Sequence, residues 1–445
     1  MHVVFIAIPM TVFADGEAKS AMFQQRYNMI HQNLLLDSRF SDVSRGSRGA
    51  DFPMISTDPA AEKVRMNEPS LFEIHEGPDS NWRFQLTPPE SLSGSRGVKV
   101  VFGMLTRGSD GKLYIEDNHQ AAEVRFSTSQ LSMDCVTENM FVVVKGEVID
   151  DVFHAFEITV PPIPQRSLCE SALNVGGANC DLATIHVSSG PVPANTSIAI
   201  LSNVLLDSPI VLEKLHSLFG GLEECNSVPS MYVLMGNFVS QPFDAFTGDS
   251  YRHYQKVFER FAQLLARHPA TLEKTKIVLV PGMNEPGNGV FPQPPLSDIL
   301  LRGIASRFPN IVLSSNPCRI QFYDKSVVLF ANNIAETLKH DKLHDSATKK
   351  VSKSYLTKSL LSQMTLVPGI VRNKAVIWDM DTSMRIYPPP DALFLFDKGA
   401  NSYTEEVHKE TLFTCLPAFA KSETVCEGEF HIYSPCQKQT TISVV

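Results

Sequence analysis

The sequence contains no C-x-x-C pair. Its eight cysteines, Cys135, Cys169, Cys180, Cys225, Cys318, Cys415, Cys426 and Cys436, are scattered through 445 residues. No Cys pair has zinc-ligand spacing, which argues against a zinc ribbon. Dilute cysteines in a long chain favour reduced thiols in an intracellular protein. Positive charge is also scarce: the formal net charge is -9. Neutralising a phosphate backbone needs clustered Lys and Arg, so any DNA contact is expected to be local. No apolar run approaches the ~20 residues of a membrane span. Val3 to Ala14 (VVFIAIPMTVFA) is apolar and ends on a small residue, like a signal-peptide core, but only His2 stands where a basic segment would. It is read as the start or edge of a folded segment. The secreted alternative rests on that stretch and on the lone sequon Asn195-Thr196-Ser197.

What is present is a globular composition, 43% hydrophobic and 20% charged, able to bury a sizeable core in two or three domains of ~150 residues. Ala21, Met22, Tyr27, Ile30 and Leu34 recur at three- and four-residue steps, which predicts an amphipathic helix. Residues 41–70, rich in Ser, Arg, Gly, Asp and Pro, read as a linker, so residues 1–96 form an N-terminal strand, helix and linker segment. Residues 97–165 are all-β. VKVVFGML, KLYIED, AAEVRFS, MFVVVKGEV and FHAFEITV are five strand-like runs, with a hairpin signal at Arg107–Gly111 and a stop at Pro161-Pro162-Ile163-Pro164. Five short strands suit a closed barrel of the OB-fold type, because an open sheet so small leaves its edges exposed. Residues 166–195 are expected as a linker packed on the core through Leu168, Leu173, Val175 and Leu182.

From residue 196 strands alternate with helices. The strands are Thr196–Ser202, Met231–Met235 and Lys276–Val280; the helices are Ile210–Phe219, Tyr251–His268 and Leu296–Arg307. Further strands lie near Ala392–Phe396, Thr411–Cys415 and Phe430–Tyr433. Buried strand runs between helices predict an α/β sandwich with a large sheet core over 196–445.

Ligands of such sheets bind beyond the carboxyl ends of the strands. Three turns therefore matter: Ser202-Asn203-Val204, Gly236-Asn237-Phe238 and Gly282-Met283-Asn284-Glu285-Pro286. Their succession resembles the calcineurin-like metallophosphoesterases. Active members carry D-x-H, G-D and G-N-H-D/E at these turns and a later G-H-x-H, and hold two metal ions ~3.5–4 Å apart. Here Ser202 and Val204 stand in place of Asp and His, Asn237 in place of the bridging Asp, and Met283-Asn284-Glu285 in place of Asn-His-acid. No two histidines are spaced at i, i+2. Removing these carboxylates and imidazoles is expected to remove tight divalent binding, leaving no catalytic, cofactor-binding or metal-binding residue. Ser202, Asn203, Val204, Gly236, Asn237, Asn284 and Glu285 are then the positions of a degenerate metal site. Asn237 and Asn284 are expected to cap their turns, and Glu285 to be a salt-bridge partner. His340 and His344 read as a solvated helix end among Lys339, Asp341, Lys342 and Asp345. Lys339, Lys342, Lys349, Lys350, Lys353 and Lys358 read as a solvated face, with a DNA-facing or nuclear-import patch as the other reading.

A degenerate phosphoesterase behind an OB barrel resembles the B subunits of the replicative DNA polymerases, and among these the epsilon type. The carrying residues are Asn316-Pro317-Cys318-Arg319-Ile320-Gln321, with the strand after them and the helix start at Phe330–Ile334. Leu205-Leu206-Asp207 with Val211–Leu215, Phe291–Leu296 (FPQPPL) and Tyr387–Asp391 (YPPPD) add to it, as do Phe102–Leu105, Leu113–Asp117, and Phe23–Tyr27 with His31. The metazoan-type members carry a helical N-terminal domain that finds no match here. The resemblance implies a nuclear, non-catalytic scaffold without a cofactor, serving chromosomal replication and repair. It would clasp the C-terminal metal-binding region of the catalytic subunit, help join the polymerase to the replicative helicase, and contact DNA weakly. Cys318 is read as a small buried hydrophobe and Arg319 as the partner of a local carboxylate. The alternative is an active metallophosphoesterase or nuclease of the same superfamily.

Overall fold

The computed structural model describes residues 16–37, 39–40, 84–126, 136–176, 185–340, 354–369 and 375–445, without the side chains of 172–176 and 340. Expectations for Val3–Ala14, the linker 41–70, Cys135, Cys180, Leu173, Val175, Leu182, and residues 341–353 with His344 fall outside this set. The chain divides into two compact units. One joins Gly16–Pro164 to Leu338–Ile370, and the other joins Gln165–Thr337 to Val371–Val445.

In the first unit the helix Gly16–Leu36 buries Met22, Arg26, Ile30, Asn33 and Leu34, a stripe at three- and four-residue steps. Five strands follow: β1 (Val98–Arg107), β2 (Leu113–Glu116), β3 (Ala121–Phe126), β4 (Phe141–Ile149) and β5 (Val152–Thr159). They close into a barrel in the order β1-β2-β3-β5-β4. Only β3 and β5 pair in parallel. Closure removes the edges an open sheet would expose. Val101, Leu105, Ile115, Val124, Val142, Val144, Phe153 and Ile158 fill the interior. Phe102, on the alternate face, packs on Tyr27 and His31 of the helix with ring centroids 5.1 and 5.8 Å apart. Residues 338–370, expected in the sandwich region, belong to this unit for a specific reason. The Gln363 side chain accepts from the Phe141 N–H and donates to the Phe141 carbonyl, both at 2.8 Å. Arg26 similarly donates to the Val367 carbonyl at 3.3 Å.

The second unit is built on β6 (Ile185–Ser188), β7 (Ile198–Ser202), β8 (Met231–Met235), β9 (Lys276–Val280), β10 (Val290–Phe291), β11 (Ile311–Leu313), β12 (Cys318–Phe322), β13 (Lys325–Ala331), β14 (Ala375–Val376), β15 (Ala392–Phe396), β16 (Tyr403–Val407), β17 (Thr411–Leu416), β18 (Glu429–Ser434) and β19 (Gln439–Val444). One six-stranded sheet has the order β11-β9-β8-β7-β18-β19 and the other β16-β17-β15-β13-β12-β6; β10 and β14 form a small pair. Ile198, Ile200, Met231, Val233 and Val278 of the first sheet share a core with Ile320, Leu329, Phe394 and Leu412 of the second. The alternate residues of the first sheet, Ala199, Leu201, Tyr232 and Leu234, pack instead with Leu215 and Phe219 of the helix Pro209–Glu224 and Phe258 and Phe261 of the helix Gly248–Leu265. With both faces covered, β7 and β8 are apolar along nearly their whole length.

Two expectations change here. The segment 166–195, read as a linker, contains the helix Arg166–Gly176 and β6, an edge strand of the second sheet, and Leu168 is exposed. The helix expected over Leu296–Arg307 is reduced to Ile304–Arg307. Arg302 and Gly303 both have left-handed backbones, φ 59° and 68°, through which a right-handed helix cannot continue.

Gly146 sits where the β4–β5 register shifts. A Cβ there would lie 2.9 Å from the Phe153 ring and 3.0 Å from the Ala155 Cα. Gly146→Ala is therefore expected to destabilise the barrel unit by about 1–3 kcal/mol. A urea midpoint equal to that of the parent chain would contradict this packing.

Candidate functional site

Strands β7, β8 and β9 run parallel, so their carboxyl ends deliver the three turns to one end of the sheet. Ser202 Oγ donates to the Pro417 carbonyl, and Val204 is buried in the apolar core. Asn203 holds a left-handed backbone at φ 56°. Its Nδ2 donates to the Ala420 carbonyl at 2.5 Å and its Oδ1 accepts from Asn237 Nδ2 at 2.9 Å. Asn237 Oδ1 accepts the N–H groups of Met283 and Asn284 at 2.8 and 2.9 Å. Asn284 Nδ2 donates to the carbonyls of Val239 and Ser240 at 2.8 and 3.0 Å. Both asparagines thus cap turns, each serving the neighbouring turn. Gly236 and Gly282 bring two backbones together: a Cβ on Gly282 would lie 2.5 Å from the Gly236 carbonyl carbon and 2.7 Å from the Asn237 nitrogen. The Gly236–Asn237 peptide is cis.

Glu285 does not form the expected salt bridge. It is buried, and its two carboxylate oxygens accept the N–H groups of Phe238 and Gly282, each at 2.5 Å. Backbone donors from two turns converge on it where a cation was expected. Burial pushes its pKa up to about 7, against the pull of those hydrogen bonds. Among the described residues no group of three or more His, Cys, Asp or Glu gathers where it could hold a metal ion. Chemically, the arrangement is a set of neutral amides and one buried acid that tie the turns to one another.

The Asn316–Ile320 run lies in the same unit. Asn316 Nδ2 donates to the Ala331 carbonyl at 2.8 Å and its Oδ1 accepts the Ala331 N–H at 3.1 Å, so the side chain pairs with the end of β13 as a strand would. The Asn316–Pro317 peptide is cis. Cys318 is fully buried, which pushes its thiol up to about 12, and Ile320 lies in the shared core. Among the described residues Arg319 pairs with no carboxylate. It donates to the Ser383 carbonyl at 2.9 and 3.2 Å and to the Arg385 carbonyl, and burial lowers its pKa to about 10. Gln293, which in the sequence stands only inside a proline-rich motif, connects these regions. Its Nε2 donates to the Gly282 carbonyl at 2.9 Å, and its backbone pairs both ways with Asn316 at 2.8 and 3.0 Å. His340 ends the helix Ile334–His340. Of the lysine run, only Lys339 and Lys358 are described.

Asn237→Ala orphans two backbone donors and is expected to cost about 2–4 kcal/mol, since each unsatisfied buried group costs about 1–3 kcal/mol. Chemical denaturation measures this, and a loss below about 1 kcal/mol would contradict the network. Glu285 adds a pH dependence. Its raised pKa means that the folded protein binds this proton more tightly than the unfolded chain does. The stabilisation is complete below about pH 4.5 and is lost as pH rises through about 7. Glu285→Gln is expected to flatten that part of the stability curve, on the order of 3 kcal/mol. Identical slopes in parent and variant between those pH values would contradict the assignment.

Two family models match this chain. A family model described as "DNA polymerase epsilon subunit 2-like, OB-fold domain" matches residues 16–162, and one that describes the B subunit of DNA polymerases alpha and epsilon matches residues 198–404. The chain is similar to the DNA polymerase epsilon B subunit of Arabidopsis thaliana, 26% identical over 98% of this chain and 77% of the relative. It is similar to DNA polymerase epsilon subunit 2 of Mus musculus, 27% identical over 87% of this chain and 69% of the relative. The Drosophila melanogaster subunit 2 is 25% identical over 97% of this chain and 76% of its own length. The barrel therefore carries an OB-fold match, the resemblance seen in the sequence is borne out, and this chain belongs to the family of DNA polymerase epsilon B subunits.

Proposed function

We propose that this chain is a non-catalytic scaffold of the DNA polymerase epsilon complex and holds the C-terminal metal-binding region of the catalytic subunit. One observation carries the reading. At the ends of β7, β8 and β9 the Ser202 hydroxyl, both amide atoms of Asn203 and Asn237, and the Asn284 amide nitrogen are spent on the backbone and side chains around them. We read the two-sheet unit as a calcineurin-like phosphoesterase domain in degenerate form. A two-metal hydrolase of that kind needs carboxylates and imidazoles at these positions to balance and complete the ion shells. Ser202, Asn203, Val204, Gly236, Asn237, Asn284 and Glu285 are then relics of a metal site. Asn316, Pro317, Cys318, Arg319 and Ile320 are then a family motif with a structural part. No cofactor is assigned.

A fold that keeps its sheets and turns without catalytic ligands is best used as a surface, and function has to be argued from sites. Permanent interfaces often bury 2,000 Å² or more and are rather apolar. The place of action would be the nucleus, in replication and repair, with the replicative helicase as a further partner. The net charge of -9 makes any DNA contact weak and local.

Co-expression with the C-terminal region of an epsilon catalytic subunit is expected to give a one-to-one complex on gel filtration with light scattering, and to raise the yield of soluble chain. A lone chain that is monodisperse and shows no shift with that partner would overturn the proposal. So would manganese-dependent hydrolysis of nitrophenyl phosphate or single-stranded DNA that Asn237→Ala abolishes.

A further inference from the structure

The helix Gly248–Leu265 buries one face against the first sheet. On its other face Arg252, His253, Gln255, Lys256 and Glu259, together with Arg302, line an open groove of about 640 Å³. The carboxylate in the groove is already engaged, because Arg307 binds Glu259 at 3.2 and 3.3 Å. Asp207, 4.0 Å from His253 Nε2, accepts the backbone N–H and hydroxyl of Ser240 at 2.8 and 2.7 Å. Arg252 pairs with Asp249 at 3.6 Å, but both side chains are more than 80% exposed, so the pair holds little. Among the described residues, Lys256 and Arg302 form no ion pair. A chain of net charge -9 thus gathers uncompensated cations in one groove. Aromatic rings stand at the N-terminal end of the same helix, outside the residues that line the groove: Phe246 is 99% exposed, and Tyr251, 44% exposed, keeps one edge contact with Phe243 at 4.9 Å between centroids.

Cations that track phosphates, beside exposed rings on which bases stack, are the two components of a single-strand binding surface. An acidic peptide would satisfy the cations but offers no bases to the rings. We propose that this groove binds single-stranded nucleic acid, with Arg252, Lys256 and Arg302 on phosphates and Phe246 and Tyr251 against bases. The proposal does not depend on the scaffold reading.

The test is fluorescence anisotropy of the full-length chain with a labelled oligo(dT) of about 20 nucleotides, long enough for a surface of this class, titrated at several salt concentrations. Binding is expected, and it should weaken with salt. The double variant Arg252→Glu/Lys256→Glu should lose about tenfold or more, and the slope of log affinity against log salt should fall by about 1.4, the value for two phosphates on a single strand. Phe246→Ala should weaken binding several-fold, by about the loss of one stacked base, without changing the slope. Lys398→Glu/Lys409→Glu makes the same change in net charge at two exposed lysines elsewhere and should leave binding near the parent value. Circular dichroism and elution volume confirm that each variant is folded. Absence of binding by the parent chain, equal loss in both double variants, or displacement of the oligonucleotide by an equal charge of poly-glutamate would each overturn the proposal. Complex formation with the catalytic subunit's C-terminal region, measured on the same variants, should be retained. Failure of that complex in the parent chain speaks against the scaffold reading and not against the groove.

Discussion

Two backbone N–H groups, those of Phe238 and Gly282, point into a space sealed from water, and the carboxylate of Glu285 satisfies both. A buried donor without an acceptor is costly, so this side chain is required wherever the two turns come so close. The approach itself depends on Gly236 and Gly282, which leave no room for a Cβ between them. Around that contact the remaining polar atoms fall into sequence: Asn237 takes the next two N–H groups, Asn203 takes Asn237, and Gln293 carries the connection to Asn316. The carboxyl end of the first sheet is therefore cemented by amides. The Glu285 carboxyl and these amides together hold the three turns to one another.

The barrel unit solves a different problem. Five short strands cannot be stable as an open sheet with bare edges. Closure handles the edges, and the helix Gly16–Leu36 covers the ring of Phe102 that closure leaves facing outward. The helix and barrel thus share one apolar contact, and the family match at residues 16–162 spans both.

Much of this was legible in the sequence, for physical reasons. The strands β7, β8, β9 and β15 are covered on both faces and so appear as short apolar runs, and the barrel strands are bounded by turn residues. The site turns stand out because glycines and asparagines come directly after strand runs. What was illegible depends on the backbone or on distance in the chain. The partners of Glu285 and Arg319 are main-chain groups, which every residue possesses, whereas the charges suggested ion pairs. The helix expected at Leu296–Arg307 has a suitable apolar pattern and is broken by two left-handed residues. The segment 354–369 is placed by Gln363, an ordinary glutamine in any local window.

That glutamine has a consequence for how the chain is made. Gln363 and Phe141 are 222 residues apart, and between them lie most of the strands of the other unit's first sheet. At about 5–20 residues per second, a ribosome that has finished Phe141 needs roughly ten to forty seconds more before Gln363 exists. Throughout that interval the N–H and carbonyl of Phe141 lack their side-chain partner. The barrel unit is thus a vessel whose last stave is delivered late, while the central strands of the second unit emerge in between.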